Sequence, residues 1–187
     1  MPLMDQTWSW DAPWDMYAMS DYNTITSLAE SPLVAGLLYA GTDDGLIQVS
    51  QNGGKQWREI EVGRLPGVPK TAFVNDIRAD LHDENTVYVA LDNHKYGDFT
   101  PYLLVSRNRG KSWQSITAGI PDRHLIWRIV QDHEQPNLLF VGTEFGVFVT
   151  LNGGDSWQTL GSGMPPIAIR DIQIQRREND LVAASFG

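Results

Sequence analysis

The chain has 187 residues, a formal net charge of −9 and no cysteine. It is long enough for one sizeable core, and it offers no disulfide, thiolate metal site or cysteine nucleophile. The acidic balance disfavours a nucleic-acid backbone or an anionic membrane surface as partner, and no apolar run is long enough to insert as a membrane-spanning helix.

Seven Trp, six Tyr and six Phe, with 17 Gly and ten Pro, suit short strands joined by tight turns. Residues 1–23 carry Trp8, Trp10, Trp14 and Tyr17 among Asp5, Asp11 and Asp15, without a regular period. They read as an apolar arm that covers an edge or end of the first repeat, with a sugar-stacking platform as the alternative. They show no basic segment followed by an apolar one, and a chain without cysteine suits either redox environment, so the compartment stays open.

From Thr24 the pattern turns regular. Strands are predicted over 25–31, 37–42, 46–50 and 56–62, with Asp43-Asp44-Gly45 as a hairpin turn between the second and third. The next repeat places strands at 73–77, 86–90, 102–106 and 112–117, and a long connection over 92–101. A third runs through 125–130, 138–143, 146–150 and 156–160, and a fourth begins with 167–175 and 180–185. Leu65-Pro66, Ile120-Pro121 and Met164-Pro165 recur after the fourth strands, where proline ends pairing and suits a crossing to the next repeat.

One loop occurs three times: Ser50-Gln51-Asn52-Gly53-Gly54-Lys55-Gln56-Trp57, Ser106-Arg107-Asn108-Arg109-Gly110-Lys111-Ser112-Trp113 and Thr150-Leu151-Asn152-Gly153-Gly154-Asp155-Ser156-Trp157. Its chemistry is structural. The hydroxyls of Ser50, Ser106 and Thr150 and the amides of Asn52, Asn108 and Asn152 can bond loop backbone. Gly54, Gly110 and Gly154 supply positive φ, and Trp57, Trp113 and Trp157 are expected to drop into the core between sheets.

The loop resembles the Asp-box, or BNR repeat, of sialidases and sortilin-like propellers, Ser/Thr-x-Asp-x-Gly-x-Thr/Ser-Trp. Asn replaces Asp in all three copies, and Gln56 stands where Ser or Thr would precede Trp in the first. Asn keeps the turn-forming acceptor without its charge, which weakens any case for cation binding there. Leu28-Ala29-Glu30-Ser31-Pro32-Leu33, Gly41-Thr42-Asp43-Asp44-Gly45 and Gly142-Thr143-Glu144-Phe145-Gly146 resemble large bacterial BNR-repeat or glycosyl-hydrolase-like proteins, which are often exported. Asp92-Asn93-His94-Lys95, Asp98-Phe99-Thr100-Pro101-Tyr102 and Arg177-Glu178-Asn179-Asp180-Leu181 extend the resemblance, which covers residues 23–187 and implies further blades.

The expected fold is therefore all-β: three four-stranded antiparallel propeller blades, about 24–63, 73–118 and 125–162, plus a half-blade at 167–187. If the first strand of each blade is innermost, the second-to-third hairpins share one face, opposite the box loops. That face carries Asp43, Asp44, Asp92, His94, Lys95, Asp98, Tyr102 and Glu144 as candidate ligand-binding residues. The 92–101 connection is the favoured part, because insertions into a repeat collect on its binding face. Two carboxylates about 5–10 Å apart would suit glycoside hydrolysis, but Asp43 and Asp44 are also ordinary turn residues. One His with one Lys and two Asp is not a metal signature, and no cofactor is implied. Arg78, Arg128 and Arg170 fall near first strands but out of repeat register, so pairing of Arg128 with Asp76 or Asp171 between blades is expected rather than a sialidase-type triad.

The leading expectation is a non-catalytic binding or scaffold module whose protein, peptide or glycan ligand sits on the hairpin face. The alternatives are part of a glycoside hydrolase, or a unit that completes a ring by homo-oligomerisation.

Overall fold

The computed structural model describes residues 2–3, 6–7, 24–161 and 163–185. Pro2–Leu3 (β1) pairs antiparallel with Gln6–Thr7 (β2). The remainder of the Trp-rich arm, with Trp8, Trp10 and Trp14, lies outside the described residues.

Three antiparallel sheets of four strands follow in chain order. Ile25–Glu30 (β3), Leu38–Thr42 (β4), Leu46–Ser50 (β5) and Arg58–Glu61 (β6) form the first. The second holds Phe73–Ala79 (β7), Val87–Asn93 (β8), Asp98–Ser106 (β9) and Gln114–Ser115 (β10). The third holds Ile126–Gln131 (β11), Leu139–Thr143 (β12), Gly146–Thr150 (β13) and Gln158–Thr159 (β14), and Ile169–Gln175 (β15) pairs with Asp180–Ser185 (β16) in a two-stranded sheet. Strand β7 packs between β3 and β11, and β11 in turn meets β15, so the first strand of each sheet is innermost. These are propeller blades, held by apolar layers between neighbouring sheets. Tyr39, Ile47 and Val49 meet Val74, Ile77 and Leu91 in the first layer, and Ala90, Leu103 and Val105 meet Ile126, Ile129 and Val141 in the second.

Each innermost strand breaks register at one residue: Thr26, Asn75, Trp127 and Arg170. A bulge of this kind re-aims its side chain and sharpens the local twist. Thr26 Oγ1 donates to the Val74 carbonyl of the next blade at 2.6 Å, and Asn75 Nδ2 to the Ile126 carbonyl at 2.8 Å. The residues just after the bulges, Ser27, Asp76, Arg128 and Asp171, form a polar ladder from blade to blade. Asp76 is fully buried and accepts from Ser27 Oγ (3.1 Å), Ile129 N (3.1 Å), Arg78 (3.1 Å) and Arg128 (3.2 Å). Arg128 also reaches Asp171 at 3.5 Å, which is the inter-blade pairing expected from repeat register.

The three box loops share one hydrogen-bond plan. The hydroxyl of Ser50, Ser106 or Thr150 donates to the side-chain oxygen of Asn52, Asn108 or Asn152 at 2.7–3.1 Å, and accepts from the amide of Gly54, Gly110 or Gly154 at 2.8–3.1 Å. The same Asn oxygen accepts from the amide of Gln56, Ser112 or Ser156. The Asn side chain thus replaces missing backbone partners in the turn. The three glycines take φ of 82°, 75° and 98°.

The tryptophans do not behave alike. Trp157 is buried against blade 2, its Nε1 donating to the Ile116 carbonyl at 2.6 Å, and Trp113 is half-buried against blade 1. Trp57 is 42 % exposed, which corrects the expectation that all three enter the core. The indole of each blade packs on the blade before it, and no such blade precedes the first among the described residues.

A second correction concerns residues 92–101, which form no open loop. Strands β8 and β9 run on past the sheet and pair again at Asn93 and Asp98, leaving only a 3₁₀ turn at His94–Tyr96 and Gly97 as the tip. Outer strands β10 and β14 are shorter than expected, yet Ile116 N and Leu160 N still bond to Leu103 and Val147 carbonyls.

Candidate functional site

The second-to-third hairpins share the face of the inter-blade crossings. Val62 N donates to the Gly45 carbonyl, and Glu144 N to the Leu125 carbonyl. Between blades 2 and 3 and the half-blade, this face carries a cleft walled by aromatic rings and guanidinium groups. Two of its walls come from bulges: the extra residue is Trp127 in β11 and Arg170 in β15. The Arg170 guanidinium lies over the Trp127 ring, 3.6 Å from its centroid, a close cation–π contact. Glu144, in the β12–β13 turn, accepts from Trp127 Nε1 at 3.0 Å and lies 3.8 Å from Arg170, fixing both. On the other side Arg123, in the left-handed region at φ 66°, places its guanidinium 5.0 Å above the Phe99 ring. Phe145 stands 46 % exposed at the rim, edge-on to His124.

His94 closes the inner wall. Asp92 is fully buried and its carboxylate accepts from the His94 amide at 3.0 Å, with the ring Nδ1 at 2.5 Å. The imidazole is edge-on to both Phe73 and Trp127. Asp92 therefore orients His94 from beneath and does not itself line the cleft.

The candidate residues read from the sequence separate accordingly. His94 and Glu144 line the cleft. Asp43 accepts from the Thr24 amide at 2.9 Å and Asp44 from the Thr42 hydroxyl, both serving the blade 1 turn. Lys95 sits 5.2 Å above the Phe73 ring. Asp98 and Tyr102 brace the long hairpin: Asp98 accepts from Tyr102 Oη (2.6 Å), Thr100 N (3.0 Å) and Asn93 Nδ2 (3.3 Å). Phe99, Arg123, Trp127 and Phe145 are not among the candidates read from the sequence, and Arg170 enters there only as a member of the rejected arginine triad. A signal existed for Trp127 and Arg170, since they occupy the repeat position that Thr26 and Asn75 hold in earlier blades. Among the described residues, no group of three or more His, Asp and Glu converges as a metal site.

Partial burial raises the Asp98 carboxyl, but the donors from Tyr102, Thr100 and Asn93 outweigh it and hold the group below the usual carboxylate range. Partial burial and the bond to Asp98 push the Tyr102 hydroxyl up to about 12. A carboxyl depressed in the folded state stabilises above its unfolded value, about pH 4, and that gain fades as acid titrates it through the lower folded value. Once corrected for the intrinsic pH dependence of amide exchange, the protection of residues 93–102 should therefore fall in wild type as pH drops below about 4, by this linkage. In Tyr102→Phe the acid dependence should be shallower. Identical pH profiles would remove this bond from the account of the hairpin.

No family model and no curated protein matches the sequence. Solved structures do. The chain superposes on a GH74 xyloglucanase from Xanthomonas campestris with TM-score 0.66 and 16% identity, over 86% of this chain and 26% of that one. On the β-propeller domain of Cps50 (Swd1) from Myceliophteria thermophila the values are 0.61 and 16%, over 89% of this chain and 50% of that one. This chain has the β-propeller fold. YCF48 bound to D1 peptide also matches, with TM-score 0.58 and 15% identity over 86% of this chain and 48% of that one. The propeller described here thus spans between a fifth and half of the chains it resembles, which include an enzyme and a peptide complex.

Proposed function

We propose that this propeller is a non-catalytic binding module of the Asp-box type, which takes a protein or peptide segment on its hairpin face. The observation that carries this reading is the cleft itself. Two guanidiniums rest on aromatic faces, which keeps in-plane N–H groups for a ligand's acceptors, those of Arg170 beyond the one that faces Glu144, and Phe145 offers exposed apolar surface beside them. Rigid aromatic and arginine anchors of this kind dominate protein–protein recognition. The three identical hydrogen-bond plans of the box loops support the Asp-box assignment, and the YCF48 complex with a peptide is a precedent for ligand class on this fold.

A glycoside-hydrolase reading has the GH74 neighbours in its favour, but it fits the cleft less well. Among the described residues Glu144 is the sole carboxylate lining it, already engaged by Trp127 and Arg170. Hydrolysis of a glycosidic bond needs two carboxyl groups facing each other.

The test is a peptide-array screen with the full chain, followed by titration of the hits. Arg170→Ala and Phe145→Ala are each expected to weaken binding at least tenfold, about 1.4 kcal/mol, with unchanged thermal unfolding. Release of reducing ends from xyloglucan, abolished by Glu144→Gln, would sink the binding reading in favour of the enzyme.

A further inference from the structure

The opposite face of the propeller holds a second feature that the hairpin-face cleft does not use. Of the three box loops, the middle one alone is strongly cationic. Where the first has Gln51, Gly53 and Lys55 and the third Leu151, Gly153 and Asp155, the second has Arg107, Arg109 and Lys111. Turn closure does not require these residues, because all three loops close with the same side-chain plan.

Arg109 is the informative one. It adopts φ 57°, the left-handed region, at a position where both other loops have glycine at φ 69°. That conformation disfavours a side chain, so a residue other than glycine there calls for a reason. Part of the reason is mechanical. Its guanidinium donates to Gln51 Oε1 at 3.1 Å and Glu84 Oε1 at 2.7 Å, tying the first box loop to the β7–β8 turn. Arg58 of β6 holds the loop from beneath, donating to the Arg109 and Gly110 carbonyls at 2.6 and 3.2 Å. The loop is therefore rigidly placed.

Arg107 and Lys111 have no such task. Both are exposed, and among the described residues neither side chain enters an ion pair. With Arg109 they flank an open depression floored by the amide side chains of Gln51, Asn85 and Asn108. On a chain of net charge −9, Lys111 and Arg107, whose charge also acts on Asp83, stand beside an anchored third cation and run against the average field.

The geometry points to a second interaction site here, which takes an acidic segment of a protein partner. The depression is open, with two arginines and a lysine around it, which suits an extended chain with several carboxylates better than a single enclosed anion. Glu84 already shows the mode of contact, a carboxylate on Arg109. Carboxylates of a partner at Arg107 and Lys111 would extend it. The net negative charge of the chain disfavours polyanions elsewhere, which leaves this loop and the arginines of the hairpin-face cleft as the places an acidic segment can bind.

Fluorescence anisotropy of a labelled hexaglutamate peptide with the full chain at low salt tests this. Saturable binding is expected, weakened at least tenfold in Arg107→Ala/Lys111→Ala, unchanged in Arg170→Ala, and falling as salt is raised. The double variant removes exposed side chains only, so its unfolding profile should match wild type. No binding by wild type, or equal binding by the double variant, overturns the proposal. Loss of binding in Arg170→Ala would move the acidic segment to the hairpin-face cleft. Binding of inorganic phosphate at the loop without binding of the peptide would replace the partner with a free anion. Because the two sites use different arginines, failure of one reading leaves the other standing.

Discussion

Asp76→Ala is expected to cost about 3–5 kcal/mol of stability, the range for removing one partner of a buried ionic network, and to lower the unfolding midpoint by roughly 10 °C for a chain of this size. The carboxylate is fully buried between innermost strands and accepts from four donors on three blades. Its removal strands the Ile129 amide and leaves Arg128 with the Asn75 carbonyl at 3.4 Å and Asp171 at 3.5 Å. Asp171→Ala is the matching control. Its side chain is half-exposed, and an exposed ion pair contributes at most about 1 kcal/mol. Thermal unfolding followed by circular dichroism compares the two. Equal midpoints would mean that the ladder along the inner strands contributes little and that the blades are held by their apolar layers alone.

That ladder was partly legible in the sequence. The pairing of Arg128 with Asp76 and Asp171 follows from repeat register, because like positions in successive blades are neighbours around the axis. The bulges were not legible. One extra residue at Thr26, Asn75, Trp127 or Arg170 alters no turn signal and only locally offsets a period-two pattern. Yet the bulges decide the site, since they turn Trp127 and Arg170 into one cleft. The long hairpin was misread for a related reason. Gly97 and Pro101 look like chain breakers, and Gly97 does make the tip at φ 76°. Pro101 lies where the β8–β9 ladder is irregular and beyond the reach of β10, so its missing N–H costs no regular ladder bond. Asp98 is a candidate because insertions into a repeat collect on its binding face, and in the structure its carboxylate accepts the bonds that brace the hairpin.

The box tryptophans separate motif from context, and they carry the other large effect. Trp157→Ala is expected to cost about 3–5 kcal/mol, as for other buried large-to-small aromatic truncations. The ring is 5 % exposed and its Nε1 bonds the Ile116 carbonyl. Trp57→Ala removes a ring of the same motif that is 42 % exposed, and its cost should fall well below half of that, in proportion to the apolar area removed from water. Trp113, half-buried with its Nε1 buried and unpartnered, should fall between, and Trp113→Phe should be nearly neutral because no hydrogen bond is lost. Urea midpoints of the three alanine variants order the series. An equal cost at Trp57 would mean that the open side of blade 1 is covered in solution. Blade 2 offers the indole of Trp157 an outer-strand isoleucine and a free carbonyl. Among the described residues β15 and β16 form a two-stranded sheet, so docking of a second copy through those two strands alone would leave Trp57 without that pair. The order of the three midpoints thus tests both the packing of each box and the ways this propeller can be completed.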